Sequence, residues 1–224
     1  MSIIVTGSEG VIGRLVVPEL EKTQGVIKID KTLGHNLEVE IETKELFKQH
    51  PNARYLVNLF AINDHIDQEE LNNLFDVPLQ SINEYLYVNL TTLFSVCREF
   101  ARTRTSGSII NFSSTYGIVS PFPELYENKR HKHVGYCISK AGVLQLTRYL
   151  AVHLAPHFRV NSVVPGGVFD NQEENFIKRY SGNTPLGRMM DGTELTGILK
   201  YLCSEESSYT TGASLVVDGG WTIR

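Results

Sequence analysis

The chain has 224 residues, 42% hydrophobic and 21% charged, with a net charge of −4. Those figures suit one soluble α/β domain spanning residues 1–224 with a sizeable core. They give no electrostatic footprint for nucleic acid, and no apolar run is long enough for a membrane span. The three cysteines (Cys97, Cys137, Cys203) are unclustered and odd in number, which argues against a disulfide framework or a metal site and makes the cytoplasm the default location.

Ile3 to Val5 is a short apolar run that enters Thr6-Gly7-Ser8-Glu9-Gly10-Val11-Ile12-Gly13, and a helical pattern of Val11, Leu15, Val16 and Leu20 follows. The N-terminus therefore reads as a first strand and not as a signal peptide. Strand, glycine turn and helix in that order let a pyrophosphate approach the free N–H groups of a helix start. A second strand, Val26 to Ile29, ends at Asp30. An acidic residue about 20 positions past the glycines is where a dinucleotide fold holds the adenosine ribose hydroxyls. A carboxylate there repels a 2′-phosphate, so NAD is preferred over NADP. The plain alternative is an ordinary turn aspartate.

A third strand is expected near Leu37 to Ile41 and a short helix near Thr43 to Gln49. Tyr55 to Leu59 reads as a buried parallel strand. Residues 62–76 are polar and acidic and read as a surface loop with a helical turn or two. Ser81-Ile82-Asn83-Glu84 has the pattern of a capping box. It opens a long helix whose apolar face carries Ile82, Leu86, Leu90, Leu93, Phe94, Cys97 and Phe100. Asn89 in its middle is either a tolerated polar position or the mark of a kink that holds a water.

Gly107 to Phe112 is another strand, and it ends in the hydroxyl-rich Ser113-Ser114-Thr115-Tyr116-Gly117. The carboxyl ends of parallel strands are where such sheets bind ligands. The loop at about 118–135 carries a basic run, Lys129-Arg130-His131-Lys132-His133. It reads either as a solvated surface or as a source of one or two cations for an anionic substrate. Tyr136 and Lys140 then stand four positions apart at a helix start, so phenol and ammonium share a face. A cation there favours phenolate and lowers the tyrosine pKa towards the operating pH. Phe158 to Val164 is a strand closed by Pro165-Gly166-Gly167. Residues 168–190 carry no strand signal and read as a lid segment. Asp191-Gly192-Thr193-Glu194 caps a last helix, and Leu215 to Gly220 is a final strand and turn. Strands alternating with helices imply a three-layer α/β fold, a parallel sheet with helices on both faces.

Taken in order, the Thr6-Gly7 turn, Asp30, Asn89, Ser114, Tyr136-x-x-x-Lys140, Pro165-Gly166 and Val217-Asp218-Gly219-Gly220 resemble the short-chain dehydrogenases/reductases across nearly the whole chain. The resemblance implies a Rossmann fold of about seven parallel strands and a nicotinamide cofactor. It makes Tyr136 the general acid/base at a carbinol or carbonyl, with Ser114 on the substrate oxygen. It places Lys140 on the nicotinamide ribose and Asn89 on a water that relays protons to Lys140. It assigns cofactor contacts to Gly7, Gly10, Val11, Ile12, Gly13, Asp30, Asn58, Tyr136, Lys140, Pro165, Gly166 and Val168. Tyr116, Tyr126, His133 and Arg179 are candidate substrate contacts, and Tyr180 is a further pocket residue.

The chain departs from the compact family pattern in four places. Its glycine spacing is that of the extended epimerases and dehydratases. Ala61 stands for a glycine in Asn58-Leu59-Phe60-Ala61. Asp170 stands where a threonine is usual. The separation of Ser114 from Tyr136 is lengthened. The Asp218-Gly219-Gly220 ending favours the compact group. The expected function is NAD(H)-dependent interconversion of a secondary alcohol and a ketone on a polar, sugar-like small molecule. The similarity is to bacterial members linked to surface-glycan or flagellin-sugar biosynthesis. An NAD-retaining epimerase or dehydratase and a non-catalytic NAD-binding protein are the alternatives. A homodimer or homotetramer is implied, through the helices at 82–103 and 136–154 and the last strand, with Trp221 a candidate interface residue.

Overall fold

The computed structural model describes residues 2–63, 65–66, 74–126 and 131–224. Strand β1 (Ser2–Thr6) leads through the glycine turn into α1 (Val11–Glu21), and β2 (Gly25–Ile29) returns beside β1. Helix α2 (Glu40–Gln49) precedes β3 (Ala53–Asn58). A two-residue strand β4 (His65–Ile66) follows, then α3 (Leu79–Leu86), a π-helical turn at Tyr87–Thr92, and α4 (Leu93–Arg102). Strand β5 (Gly107–Phe112), two-residue β6 (His131–Lys132), the long helix α5 (Val134–His153) and β7 (Phe158–Pro165) come next. Helices α6 (Glu174–Asn183) and α7 (Thr196–Leu202) and strand β8 (Ser214–Val217) complete the order.

The main sheet runs β2-β1-β3-β5-β7-β8 and is parallel throughout. Apolar residues of α2, α4 and α5 (Phe47, Phe100 and Val143 among them) pack one face into a core. Val16 and Leu20 of α1 and Leu199 and Leu202 of α7 pack the other. The expected three layers are present. Among the described residues the sheet has six strands, not the expected seven or so. The strand expected at Leu37 to Ile41 is missing because the chain turns sharply as it leaves β2. Asp30 caps a 3-10 turn at Lys31–Leu33, Gly34 closes it with φ +87°, and helix α2 already begins at Glu40.

Other expectations shift in detail. Helix α3 starts at Leu79 behind Pro78, so Ser81 is not its cap. The Ser81 hydroxyl donates to the Pro78 carbonyl instead. The kink expected at Asn89 is the π-helical turn, a wider winding that often marks functional sites. Helix α6 lies inside the segment read as a lid, and the Asp191/Glu194 capping box is formed.

A buried polar rail crosses the sheet. Thr6 Oγ1 donates to Asn58 Oδ1 at 2.9 Å, Asn58 Nδ2 donates to Asn111 Oδ1 at 2.9 Å, and Asn111 Nδ2 donates to Thr147 Oγ1 at 3.1 Å. It ties β1, β3 and β5 to α5. Each amide gives and takes a bond inside the core, where an unmet polar group costs about 1–3 kcal/mol.

Candidate active site

The chain passes from β1 to β2 on one side of the sheet and then crosses to β3 on the other. The carboxyl ends of β1 and β3 thus form the switch point where open α/β sheets bind ligands. A cavity of about 770 Å³ lies there and continues past the ends of β5 and β7.

At its first end is the glycine turn. Gly7 has φ +71°, and a Cβ on it would stand 2.5 Å from the Phe60 nitrogen. A Cβ on Gly13 would stand 2.4 Å from the Ser8 carbonyl oxygen. Only hydrogen fits at either place. Helix α1 begins beyond with no side-chain cap and no acid in its first turn, which leaves its N–H groups for an anion. Asp30 sits at the edge of the same cavity. Its Oδ2 accepts the Glu9 N–H at 3.1 Å and its Oδ1 the Thr32 N–H at 2.9 Å. Burial works against its charge. The bonds from Thr32 and Glu9, with His35 nearby, outweigh that and hold the carboxyl below its ordinary pKa. Asp30 is therefore a fixed carboxylate with lone pairs to spare. A cradle that only glycine can form, an open helix start and a fixed carboxylate at the cavity edge fit a dinucleotide.

Gly10, Val11, Ile12, Pro165, Gly166 and Val168 also line the cavity. Asn58 does not. It is 2% exposed and its side chain is committed to the polar rail beneath the site. Of the family departures, Ala61 and Asp170 both line the cavity.

The middle of the cavity holds Ser114, Tyr136 and Lys140. The two serines after β5 are separated by their partners. Ser113 Oγ donates to the Lys140 carbonyl at 2.7 Å, while Ser114 hydrogen-bonds the Tyr136 phenol. Lys140 Nζ donates to the Phe112 carbonyl at 2.9 Å and lies 5.7 Å from the Tyr136 ring centroid. Burial pushes the Tyr136 phenol up to about 12, with the Ser114 bond pulling the other way. The lowering expected from the neighbouring ammonium does not prevail, because the phenol is nearly closed off from water. Burial, with the charge of Lys132 acting in the same sense, brings Lys140 down to about 8.

Asn89 acts behind this group and not on the cavity wall. Its side chain accepts the Ile62 N–H at 2.9 Å, donates to the Ile62 carbonyl at 3.1 Å, and donates to Ser139 Oγ at 3.1 Å. Ser139 in turn donates to the Tyr136 carbonyl at 2.8 Å. Asn89 thus ties the loop after β3 to the turn that carries Tyr136.

The far end is aromatic. Tyr116 and Tyr126 line it with their hydroxyls 3.1 Å apart. Behind them Tyr180 stacks on Trp221 at 5.6 Å, and the Tyr180 oxygen accepts the Gly167 N–H at 2.5 Å. Trp221 is only 2% exposed and packs within its own chain, which corrects its expected place in an interface. His133 and Arg179 are not among the residues lining the cavity. His133 Nδ1 accepts the Gly135 N–H at 3.0 Å and caps α5, and its ring stacks on Tyr85. Arg179 reaches the Leu125 carbonyl and straps α6 to the preceding loop. Lys129 and Arg130 lie outside the described residues. Lys132, of the same basic run, does line the cavity. Sequence reasoning had no local signal for Tyr85, whose ring meets Tyr136 edge-on at 6.5 Å from another helix.

The family model described as enoyl-(acyl carrier protein) reductase matches residues 23–222. The chain belongs to the short-chain dehydrogenase/reductase family. It is 30% identical to the 3-oxoacyl-[acyl-carrier-protein] reductase of Aquifex aeolicus, over 97% of this chain and 95% of that one. It is 34% identical to the post-translational flagellin modification protein A of Campylobacter coli, over 66% of this chain and 60% of that protein. With the NADP-dependent mannitol dehydrogenase of Alternaria alternata it shares 32% identity, over 68% of this chain and 58% of that enzyme. The matches to these last two short-chain dehydrogenase/reductase relatives thus span less than two thirds of the relatives' own length. Among solved structures, a short-chain dehydrogenase from Leptospira borgpetersenii with bound NAD+ superposes with a TM-score of 0.86 at 30% identity, covering 99% of this chain and 92% of that one. Among the described residues, no helix is long and apolar enough to cross a membrane.

Proposed function

We propose that this protein interconverts a secondary alcohol and a ketone on a polar, sugar-like small molecule with a nicotinamide dinucleotide, NAD(H) in preference to NADP(H). The observation that carries the reading is the meeting of Ser114, Tyr136 and Lys140 in one cavity with the glycine turn and Asp30. Gly7 to Gly13 would hold the pyrophosphate, Asp30 the adenosine ribose, and Lys140 the nicotinamide ribose. When bound, the dinucleotide supplies or accepts the hydride.

The chain's own residues position the substrate and move its proton. Ser114 donates to the substrate oxygen. Tyr136, protonated at neutral pH because burial holds it high, gives its proton to that oxygen in reduction and takes it back in oxidation. Lys140 keeps a positive charge beside the phenol and stabilises the phenolate as it forms. Asn89, through Ser139, holds the Tyr136 turn in place. Tyr136→Phe keeps fold and cofactor binding while lowering kcat by about 10²–10⁴-fold, the range of a positioned acid/base. Full turnover by that variant would sink the assignment.

The cofactor preference rests on the ionised Asp30, which disfavours a 2′-phosphate, and on the likeness to an NAD+-bound structure. Several relatives, all mannitol dehydrogenases, are NADP-dependent, so the ratio of kcat/KM for NADH and NADPH is the direct check. The substrate class rests on the tyrosine hydroxyls at the far end of the cavity, with Lys132 in the wall of the same cavity. The mannitol and flagellin-modifying relatives point the same way. Turnover of long hydrophobic ketones alone, with none of keto-sugars, would overturn it. A homodimer or homotetramer is part of the same reading. Tyr149 and Val152 of α5 and Phe94 of α4 are exposed apolar groups on the helices that would meet, and solution size tests it.

A further inference from the structure

His133 caps the helix that carries Tyr136, and its ring joins two helix starts. The Gly135 N–H donates to His133 Nδ1 at 3.0 Å. On the other side of the ring, Nε2 lies 2.9 Å from the Ser81 hydroxyl of α3. That hydroxyl has a single hydrogen, and it goes to the Pro78 carbonyl at 2.7 Å. Ser81 therefore accepts at Nε2, which carries the ring's proton, and Nδ1 offers only its lone pair. Each side of the ring independently calls for the same neutral tautomer. The ring is 7% exposed and stacks on Tyr85 at 4.5 Å, and Tyr85 meets Tyr136 edge-on. Gly135 permits the approach, since a Cβ there would stand 3.0 Å from both His133 Nδ1 and Tyr85 Cβ. The His133 carbonyl takes the Tyr136 N–H at 3.0 Å and the Cys137 N–H at 3.4 Å. The first turn of α5 is thus hung on one residue by both its backbone and its side chain.

A second proton on the ring would turn Nδ1 into a donor facing the Gly135 N–H, whatever else touches the ring. It would also set a charge at the positive start of α5. Among the described side chains, the titratable groups on the elements packed about the ring are Lys132 on β6, Glu84 and Tyr85 on α3, and Tyr136, Cys137 and Lys140 on α5. We propose, resting on the oxidoreductase reading above, that His133 is a positioning residue for Tyr136. Its neutral Nε2–H form clamps the first turn of α5 to the start of α3, and protonation opens the clamp and lowers turnover. The proton comes from solvent, and the hydride and proton transfers are those already described. Displacing a reacting group by about 1 Å costs on the order of 10²-fold, so a loosened turn is enough.

The test uses wild type, His133→Phe, which keeps a ring on Tyr85 but cannot cap, and His133→Asn, a good cap that does not titrate. Nitrogen NMR of the wild-type imidazole at pH 7.5 should find the proton on Nε2 and none on Nδ1. On lowering the pH through the range where an imidazole takes a proton, about 8 to 5, wild-type kcat should fall about tenfold or more. His133→Phe should be low throughout, by about tenfold or more, with no such limb. His133→Asn should recover most of what His133→Phe loses, with a level profile. The Kd for NAD+ should be the same in all three. A proton on Nδ1, an acid limb that persists in His133→Asn, or full kcat in His133→Phe would each overturn the proposal. Where His133→Phe does not fold, the asparagine variant and the ring signals decide. If wild type turns over no alcohol or ketone, the functional reading is what suffers. The Gly135 amide signal then still decides the clamp: it should move with pH in wild type and stay in His133→Asn, and equal movement in both would reject it.

Discussion

The two ends of the cavity are built in different ways. The dinucleotide end is made of backbone: a turn where only glycine fits, the open start of α1, and a carboxylate fixed by its neighbours' N–H groups. The far end is made of side chains from segments distant in sequence. Tyr116, Phe122, Tyr180 and Trp221 pack ring against ring. The first construction admits little variation, because moving a backbone atom moves the strand behind it. The second can be recut one ring at a time while the fold stands. The molecule thus pairs a fixed, backbone-built end with an adjustable, side-chain-built end.

The comparison can be broken by experiment. The largest effect is expected from Trp221→Ala, which empties a buried indole site and costs about 3–5 kcal/mol by denaturant unfolding. It should raise KM for the alcohol or ketone and leave cofactor Kd unchanged. An equal change in both would show that the two ends are one unit. Gly13→Ala comes next. The added methyl meets backbone atoms of Gly7 and Ser8, which cannot swing aside, so about 1–3 kcal/mol is lost. Cofactor binding should weaken, with substrate discrimination intact. The smallest effect is a pH limb. Lys140 is brought down from 10.5 to about 8, so it loses its proton as pH rises through that value. The kcat/KM for reduction should decline above about pH 8, while Tyr136, held up at about 12, keeps its proton. A profile flat to pH 9.5 would show that the charge on Lys140 does not matter.

The same division governs what the sequence makes legible. Gly7, Asp30, Ser114, Tyr136 and Lys140 stand in short local patterns whose chemistry is set by spacing, and all of them meet at the cavity. Asn58 looks like a cofactor contact by position, yet Asn111 and Thr6, both more than 50 positions away, claim its amide. His133 belongs to a run that reads as surface, but the Gly135 N–H turns it into a helix cap. The missing edge strand followed from Asp30 starting a turn, where apolar residues farther on suggested an extended run. In each case a hydrogen-bond partner that the pattern does not name, near or distant, or a turn closing too early overrode the local pattern.

The rail from Thr6 through Asn58 and Asn111 to Thr147 has a consequence for evolution as well as for stability. Every link runs donor to acceptor in one sense, so turning one amide alone sets like atoms face to face between Asn58 and Asn111 and breaks the central bond. A slip of any strand by one residue would send its amide to the opposite face of the sheet. The separation between the dinucleotide turn and the Tyr136 helix is therefore counted in whole residues and cannot drift by degrees. Variation that alters the substrate end does so without loosening the distance over which the reaction has to take place.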